Sequence, residues 1–202
     1  MIYPIARDKI LHAARNRFGH YGFKKTSMAE IAEDCGMSAA NIYRHFTGKK
    51  AILAVLAIDI FTEEEKQLEH LCKQSFDSAS QKLHTFFMEA LVQTYRYATE
   101  KPKMKEMVDY ICQERADLVT AHREAKTKLI AVILQEGVDC NEFEIYDIEK
   151  TATTFKSATV LFHTPFFFDI YSLEELKTAC FDVVELLLTA ITSPSRDLTC
   201  IK

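Results

Sequence analysis

The feature that most limits the fold of this chain is its shortage of residues that interrupt helices. Only five glycines and four prolines occur among 202 residues, and the runs between them place apolar residues at steps of three and four. Gly and Pro punctuate a chain, whereas a three-to-four apolar repeat is the pattern of an amphipathic helix. Hydrophobic residues make up 48% and charged residues 27%, which is typical of a globular protein. The sequence therefore predicts an all-α fold.

Other classes of protein lack their usual signals in this sequence. No apolar stretch reaches the roughly 18 uncharged residues of a membrane span, and residues 1–8 lack the order of a signal peptide, so we expect a cytoplasmic protein without a membrane partner. The six cysteines are scattered without a Cys-x-x-Cys pair, so we expect free thiols. The histidines outside the N-terminal segment have no ligand spacing, and no nucleophile elbow or Gly-rich phosphate loop occurs. We therefore expect no metal, no cofactor and no catalytic residues.

Charge is distributed unevenly along the chain. Residues 1–53 contain nine Lys or Arg against four Asp or Glu, a net charge of +5. The other residues contain 16 basic and 25 acidic side chains, a net charge of −9. A basic segment on an acidic remainder is typical of a small nucleic-acid-binding domain attached to a body that nucleic acid repels, although chance clustering gives the same count.

Capping residues divide the chain into about nine helices. Ser27, Ser38, Asp147 and Ser172 are predicted N-caps, and glutamates three residues after the first and last of these complete capping boxes. The first six helices are expected at about 5–20, 28–35, 39–46, 49–71, 77–99 and 103–111. The sixth can run into a seventh helix that ends at 137. An eighth is expected from 147 to 165 and a ninth from 172 to 193. The segment 138–145 is predicted to be a loop, and the acidic run 63–65 a solvated helix face.

Residues 26–53 have the spacing of a helix-turn-helix. Ala32 supplies the small residue where two helices nearly touch, and Gly36 tolerates the positive φ that the turn requires. The apolar positions that would lock the second of the two helices against the first are Ile31, Met37, Ile42 and Phe46. Two alanines at the start of the third helix leave that end slim enough to enter a major groove.

This segment resembles the TetR family of one-component transcriptional regulators. The residues that carry the resemblance are Ile31-Ala32, Gly36-Met37-Ser38, Ile42-Tyr43-Arg44-His45-Phe46, and Lys49 with Leu53. Tyr-x-His-Phe with a lysine three residues later is a specific signature of that family. The resemblance covers about residues 5–55, and beyond them only the layout of long helices matches. Gly48 is a departure, because the family often has Asn, Ser or Asp there, but Gly is the mildest substitute at a helix cap.

The resemblance implies that the chain consists of two functional domains. Residues 1–48 would be a helix-turn-helix DNA-binding domain, and residues 49–202 a helical ligand-binding and dimerisation domain. The implied function is that of a repressor that a small-molecule effector releases from an inverted-repeat operator. A helix-turn-helix regulator controlled by a protein partner or by thiol oxidation is the alternative. A third hypothesis is an enzyme with a helical catalytic body attached to the basic N-terminal segment, but the sequence contains no set of residues typical of a catalytic site.

The family's DNA-binding roles carry over to individual residues of the motif. The candidate DNA-binding residues are Ser27, Ser38, Ala39, Ala40, Asn41, Tyr43, Arg44, His45 and Lys49. Residues 38–41 are expected to face base edges, where Asn41 can pair with adenine and the alanine methyls can touch thymine. Arg44 can pair with guanine or reach a phosphate. Ser27, Tyr43, His45 and Lys49 are expected at phosphates, although Tyr43 and His45 can instead pack the small domain.

Large apolar and aromatic residues recur in the predicted body, at Phe86, Phe87, Leu91, Tyr95, Tyr110, Phe155, Phe162 and 166–168. The family implies a pocket for a small apolar or aromatic effector among such residues, whereas an ordinary aromatic core is the alternative. The candidate ligand-binding residues are Phe87, Leu91, Tyr95, Tyr110, Phe155, Thr159 and Phe162.

The predicted ninth helix is apolar nearly all round between residues 173 and 191. A helix of this kind must be buried on two sides, so we expect one side against its own body and the other against the same helix of a second subunit. Val184 and Leu187 are expected in that seam. The companion in a four-helix bundle would be the eighth helix, through Ala152, Phe155, Ala158, Thr159 and Phe162. Such a homodimer would read both halves of a palindromic operator in double-stranded DNA.

Overall fold

The computed structural model describes residues 3–99 and 103–192 of the chain. These residues form α1 (Tyr3–Tyr21), α2 (Met28–Cys35), α3 (Ala39–Tyr43), α4 (Lys49–Cys72), α5 (Ala79–Thr99), α6 (Met104–Glu114), α7 (Ala116–Asp139), α8 (Ile148–Ala158) and α9 (Leu173–Thr189). Two short 3-10 turns, Val160–His163 and Pro165–Asp169, lie between α8 and α9. Within the same ranges the only β pairing is an isolated bridge between Phe143 and Thr192. The predicted all-α class is confirmed.

Short polar side chains begin several helices where the sequence predicts them. The Ser27 hydroxyl accepts a hydrogen bond from the Glu30 amide at the start of α2, and Ser172 does the same for Glu175 at the start of α9. Both capping boxes are complete, and Asp147 caps α8. Each cap satisfies an amide that the first helical turn leaves without a partner. The predicted starts of α2, α8 and α9 are therefore confirmed.

Two predicted helix ends are wrong. α3 stops at Tyr43, and the chain continues as a turn in which the amides of His45 and Phe46 donate to the Ile42 carbonyl at 2.9 and 3.0 Å. α8 ends at Ala158, well before the proline, because the Thr159 hydroxyl folds back onto the Phe155 carbonyl at 2.8 Å and the chain tightens into 3-10 turns. Side-chain hydroxyls that bond to a backbone carbonyl compete with regular helix in this way.

The helices in the middle of the chain also differ from the prediction. α6 and α7 are separate, with Arg115 between them in a non-helical conformation, and α7 passes Gly137 to end at Asp139. The start of α5 is held by Glu142, whose carboxylate accepts from the amides of Ala79 and Ser80 at 2.7 and 2.8 Å. Ser78, one of the polar residues that the sequence predicts at this start, also caps the helix, because its hydroxyl accepts from the Gln81 amide at 3.0 Å. The carboxylate is more than 60 positions away and leaves no local signal.

The chain divides into two compact units. The first consists of Met1–Glu65 and Gln93–His122, and the second of Lys66–Val92 and Arg123–Lys202, as far as these residues are described. The predicted domain boundary at residue 48 stays a prediction, because compactness alone does not test which segment binds DNA.

The core of the first unit is built from the inner faces of α1, α2, α4 and α6 around the short α3. Its most buried members are Ile10, Ala14, Phe18, Ile31, Ala32, Cys35, Ile42, Phe46, Ile52, Leu53, Leu56, Met107 and Ile111. The predicted inward positions Ile31, Ile42 and Phe46 are among them, and Met37 packs against the cluster from its edge. The apolar positions that the motif requires thus hold α3 in place from one side only, which leaves its other side to solvent.

The second unit has a core of its own that is rich in phenylalanine. Buried members come from α5, α7, α8, α9 and the 3-10 turns, and include Leu83, Phe86, Phe87, Ile130, Leu134, Phe155, Phe162, Phe168, Leu176 and Val184. No described helix is both long enough and apolar enough to cross a bilayer.

Candidate functional site

The turn between α2 and α3 depends on the backbone of Gly36. Gly36 has φ 64° and ψ 35°, and the amide of the next residue, Met37, donates to the Ala32 carbonyl at 2.9 Å. A Cβ at Gly36 would meet no atom within 4 Å, so the requirement is for the left-handed backbone and not for space. An L-residue in that conformation costs roughly 1–2 kcal/mol. The turn also places Ser38, which accepts from the Asn41 amide, as the cap of α3.

α3 turns one face to the core and the other to solvent. Ile42 is fully buried, whereas Ala39, Ala40 and Arg44 are exposed. Asn41 and His45 lie half-buried at the edges of the exposed face. Tyr43 exposes 54% of its surface, so about half of the residue is accessible to a partner and the rest is covered by the protein. The predicted DNA-binding residues between positions 38 and 45 therefore share one accessible surface, with Ser38 at its N-terminal end.

Arg17 of α1 neutralises acidic side chains beside this surface. Its Nε and Nη2 donate to the carboxylate of Asp34 at 2.5 and 2.9 Å, and Nη1 lies 3.2 Å from Glu30. The hydrogen bond with the guanidinium lowers the pKa of Asp34 and raises that of Arg17. Two of the four acids in residues 1–53 are thus paired internally, which limits the repulsion that they would exert on an approaching phosphate.

Ser27 is more engaged than the sequence suggests. Its hydroxyl donates to Glu30 Oε2 at 2.8 Å, and its amide donates to the same oxygen at 2.7 Å. These hydrogen bonds from Ser27, the backbone one first, lower the pKa of Glu30 and keep a negative charge next to the hydroxyl. A phosphate contact by Ser27 therefore requires its hydroxyl to leave the carboxylate, and it stays a prediction.

Lys49, at the start of α4, is also engaged inside the protein. Its ammonium donates to the backbone carbonyls of Phe23, Lys24 and Thr26 at 2.9, 3.0 and 2.9 Å. The ammonium also lies 4.9 Å from the centroid of the Phe23 ring. Sequence reasoning expected this lysine at a phosphate and missed the carbonyls, because they come from the loop between α1 and α2.

Five of the predicted ligand-binding residues lie together in the buried core of the second unit. The Phe87 ring is stacked on Phe155 at 5.9 Å, edge-on to Phe86 at 5.4 Å, and 6.2 Å from the imidazole of His163. Leu91, Thr159 and Phe162 are buried as well. The sequence does not identify His163 as a site residue, because it lacks the spacing of a metal ligand and nothing near it in the sequence indicates that it lies beside Phe87.

The two remaining predicted ligand-binding residues, Tyr95 and Tyr110, belong to the first unit. The Tyr110 ring lies 4.7 Å from that of Phe23, and the ammonium of Lys50 lies 5.4 Å from its centroid. Tyr110 thus packs against the core of the helix-turn-helix unit, and the structure does not group it with Phe87.

The two faces of α9 differ from the predicted seam. Leu176, Cys180, Val184 and Leu188 form the buried stripe, and Leu187 is half-buried. The exposed apolar residues are Phe181 and Leu186, at 49% and 72% of their surface. The assignment of Val184 to the outer seam is therefore wrong, because its side chain is fully buried in its own unit. Of the companion residues predicted for the eighth helix, Ala152, Phe155, Thr159 and Phe162 are buried and Ala158 is exposed, and the pairing of α8 and α9 in a four-helix bundle stays a prediction.

The acidic run in α4 is only partly a solvated face. Glu63 is exposed as expected, but Glu64 exposes 4% of its surface and lies 3.3 Å from the imidazole of His122. Glu65 contacts the other ring nitrogen at 2.7 Å, and Phe61 stacks on the ring at 4.4 Å. The prediction fails at Glu64 because α7 presents a histidine to it.

Burial gives three of the described cysteine side chains a packing role, whereas Cys112 and Cys140 are exposed. The five described cysteines are free, and Cys35, Cys72 and Cys180 are buried. Burial raises the pKa of Cys72 to about 11 and that of Cys180 to about 12, and it also raises the pKa of Cys35 and Cys112. No group of three or more potential metal ligands occurs in residues 3–99 and 103–192.

Sequence comparison matches two family models to this chain. Residues 10–56 match the bacterial regulatory proteins of the tetR family, and residues 79–184 match the tetracyclin repressor-like C-terminal domain. The chain is 35% identical over 75 residues to YxaF of Bacillus subtilis, an uncharacterised helix-turn-helix transcriptional regulator, and the match spans 37% of this chain and 38% of YxaF. It is 26% identical over 147 residues to the transcriptional repressor KstR2 of Mycolicibacterium smegmatis, spanning 68% and 67% of the two chains.

Solved structures share the fold across nearly the whole chain. SmeT, the repressor of the Stenotrophomonas maltophilia multidrug efflux pump SmeDEF, superposes with a TM-score of 0.69 at 16% identity, covering 94% of this chain and 91% of SmeT. A SmeT–triclosan complex gives a TM-score of 0.68 at 16% identity over 95% and 93% of the two chains. FadR of Thermus thermophilus, a repressor in complex with lauroyl-CoA, gives 0.63 at 19% identity over 97% and 99%.

Proposed function

The chain belongs to the TetR family of bacterial transcriptional regulators, and from this membership we propose that it is a repressor that binds an inverted-repeat operator. The observation that carries the proposal is the outer face of α3. Ala39, Ala40, Tyr43 and Arg44 are exposed there on a helix whose inner face is fixed by Ile42. This face belongs to a segment with a net charge of +5, which favours a polyanion over an uncharged partner.

The exposed residues of α3 divide by chemistry into base-reading and backbone-binding groups. Asn41 and Arg44 carry side chains that pair with adenine and guanine edges, and the methyl groups of Ala39 and Ala40 suit thymine. Tyr43 and His45 are assigned to phosphates, which position the helix without reading sequence. Ser38 caps α3 and has its backbone next to the same face.

We assign dimerisation to the outer face of α9. A single helix-turn-helix contacts too few base pairs to select one site in a genome, so two copies are required. The outer face of α9 is the side that carries Leu186, a large apolar residue that a monomer leaves exposed. A two-fold pairing through this face removes Leu186 from water and presents two α3 helices to successive turns of DNA.

We assign the effector to the aromatic cluster of the second unit. Phe87, Phe155 and His163 gather there, and rings of this kind suit an apolar or aromatic molecule. The similar SmeT and FadR structures contain triclosan, which is aromatic, and lauroyl-CoA, which joins a long apolar acyl chain to the polar coenzyme A. An effector weakens DNA binding only if it binds the DNA-competent conformation less tightly than the other one.

Oxidation is disfavoured as the signal at four of the cysteines, whereas the exposed Cys140 leaves thiol oxidation as an alternative. The raised pKa values of Cys35, Cys72, Cys112 and Cys180 keep these sulfurs protonated at neutral pH, and the thiolate is the reactive form. Control by a protein partner stays the second candidate for the signal. A repressor of this kind acts on the chromosome, so the cytoplasm is the proposed location.

The DNA-binding proposal is tested by selecting duplexes from a random-sequence library with the full chain. We expect enrichment of an inverted repeat whose half-sites lie about one helical turn apart, roughly 34–36 Å. Asn41→Ala should then relax the preference at one base pair per half-site, by about 1–3 kcal/mol. Asn16→Ala is the matched control, since Asn16 is an exposed asparagine of α1 outside the motif.

Two results would contradict the assignment. A library that yields no enriched sequence refutes sequence-specific binding, and equal loss at all positions in Asn41→Ala moves that residue to the DNA backbone. The effector proposal is tested separately by a thermal-shift screen of apolar and aromatic compounds. A true effector must raise the melting temperature and weaken the operator complex together.

A further inference from the structure

The loop between α1 and α2, residues 22–26, is held by a charged side chain that follows the helix-turn-helix. The Lys49 ammonium has three N–H donors, and the three carbonyls of Phe23, Lys24 and Thr26 take one each, at 2.9–3.0 Å. The centroid of the Phe23 ring also lies 4.9 Å from the ammonium nitrogen. The ammonium therefore has no donor left for a phosphate while this arrangement lasts.

The same loop is held from α6 by an anion. The Glu106 carboxylate accepts from the Lys24 amide at 2.7 Å and lies against Gly22, whose φ is 91° and where an added Cβ would collide with the carboxylate. Thr26, 2% exposed, donates its hydroxyl proton to the Gly22 carbonyl at 2.9 Å. Carbonyls point to the cation and an amide points to the anion, so the backbone of the loop is polarised between the two charges.

The positions of these residues along the chain explain what the contacts fix. The loop ends where α2 begins, and Lys49 is the first residue of α4, directly after the turn that leaves α3. The contacts of Lys49 thus join the segment before the helix-turn-helix to the segment after it. Both ends of the motif are tied together by one side chain.

We propose that Lys49 is a positioning residue that holds the helix-turn-helix in its DNA-binding geometry through the 22–26 loop, and that it does not contact phosphate. This inference rests on the proposed DNA-binding function. Moving the ammonium to a phosphate would leave three carbonyls without their donor, whereas an exposed lysine of the same segment can reach DNA without that loss. Recognition then depends on Lys49 through the orientation of α3.

The two roles of Lys49 predict opposite results for two measurements. A phosphate contact contributes to counterion release, so its loss lowers the slope of log Kobs against log salt by about one. A positioning residue leaves that slope unchanged while affinity falls. Its loss also accelerates amide hydrogen exchange in residues 23–28 by at least about tenfold, because the loop opens locally.

The experiment compares Lys49→Met and Lys49→Arg with the wild type. Methionine keeps the length of the side chain without the charge, whereas arginine keeps the charge in a planar fork that does not reproduce three donors around one nitrogen. Hydrogen exchange is measured on the full chain without DNA. The salt slope is measured on a random-sequence 30-base-pair duplex. Lys25→Met is the control for exchange, since Lys25 is an exposed lysine of the same loop.

We expect both Lys49 variants to bind the duplex more weakly with the wild-type salt slope and to exchange faster at residues 23–28, while Lys25→Met exchanges like the wild type. A lower slope with unchanged exchange in Lys49→Met, together with full binding in Lys49→Arg, overturns the proposal. If Lys49→Met fails to fold, Lys49→Arg decides, because it retains the charge and alters only the arrangement of donors. Weaker binding with faster exchange at residues 23–28 in that variant supports the proposal, and wild-type binding with wild-type exchange refutes it.

The proposal and the proposed function fail in different ways. A wild-type chain that binds no duplex DNA refutes the DNA-binding function. The exchange measurement needs no DNA, so it still decides whether Lys49 holds the loop.

Discussion

Leu186→Arg is expected to separate the proposed dimer without unfolding its subunits. Leu186 leaves 72% of its surface exposed on α9. Burying a whole leucine is worth about 1.5–3 kcal/mol, so the exposed part is worth about 1–2 kcal/mol. A two-fold interface contains the residue twice, which makes about 2–4 kcal/mol before the cost of desolvating two guanidinium groups. The dimer dissociation constant should rise about 30-fold to 1,000-fold or more.

The isolated subunit should tolerate this substitution. An arginine at position 186 follows the exposed Asp182 by one helical turn, which is a favourable spacing for an opposite-charge pair on the surface of a helix. The inward residues of α9, such as Val184, are untouched and keep the second unit packed. We therefore expect the denaturant midpoint of the variant subunit to stay close to that of the wild type diluted below its dimer dissociation constant.

Val132→Arg is the matched control, because Val132 is an apolar residue of α7 that is 49% exposed and lies outside α9. Light scattering coupled to size exclusion, at micromolar concentration, should give twice 23.2 kDa for the wild type and the control and 23.2 kDa for Leu186→Arg. Operator affinity should fall in Leu186→Arg alone, although residues 1–53 are unchanged. A wild type that runs as a monomer, or a Leu186→Arg variant that stays dimeric, refutes the assignment to the outer face of α9.

Three further predictions concern the two units separately. Because Arg17 lowers the pKa of Asp34 in the folded state, the contribution of Asp34 to the free energy of unfolding is present above the ordinary carboxyl pKa of about 3.9 and is lost as pH falls further. In urea unfolding, the stability of Asp34→Asn should therefore fall less steeply with decreasing pH than that of the wild type, and parallel plots of stability against pH would contradict this prediction. Phe87→Ala should destabilise the second unit by about 3–5 kcal/mol, with partial recovery when a small aromatic compound fills the cavity; an unchanged midpoint would show that the ring packs loosely. Hydrogen peroxide should leave duplex binding unchanged in a variant with serine at positions 112, 140 and 200, because burial raises the pKa of the remaining Cys72 and Cys180 thiols to about 11 and 12; a peroxide-dependent loss in that variant would favour the thiol alternative.

Local features of the sequence predicted local features of the structure. Ser27, Ser38 and Ser172 cap helices because a hydroxyl next to a first turn satisfies amides only a few residues away. Gly36 marked the turn because the backbone conformation that it adopts is costly for other residues. Each of these interactions lies within about one helical turn, so residue type and spacing contain enough information to predict it.

Interactions between distant segments were not predictable in the same way. Glu142 caps α5 from the segment after α7, and Glu64 is buried because His122 of α7 faces it. A glutamate in a charged run reads as solvated, since nothing nearby in the sequence shows that another helix will cover it. Tyr110 was grouped with the aromatic body by its residue type, and the structure places it against Phe23 in the first unit.

The direction of a helix face has the same dependence on distant segments. Val184 and Leu186 are two residues apart, and at 3.6 residues per turn two positions differ by about 200° around the axis, so one is buried and the other exposed. The periodicity of the sequence shows apolar residues on both sides of α9, but it does not tell which side is buried in its own subunit. Only the residues packed against Leu176 and Val184 decide which side is internal, and they come from other parts of the chain.

Lys49 combines both limits, because its position was predictable and its contacts were not. An ammonium is suited to a phosphate oxygen and equally suited to three backbone carbonyls, so residue type does not choose between them. The family signature therefore identifies where a lysine stands at the start of α4, and the loop of residues 22–26 determines what it binds. Since that loop is also bonded to Glu106, a change in either charge should alter how firmly α2 and α3 are held before any DNA is present. Specificity in this chain then depends on internal hydrogen bonds as well as on the side chains that α3 exposes.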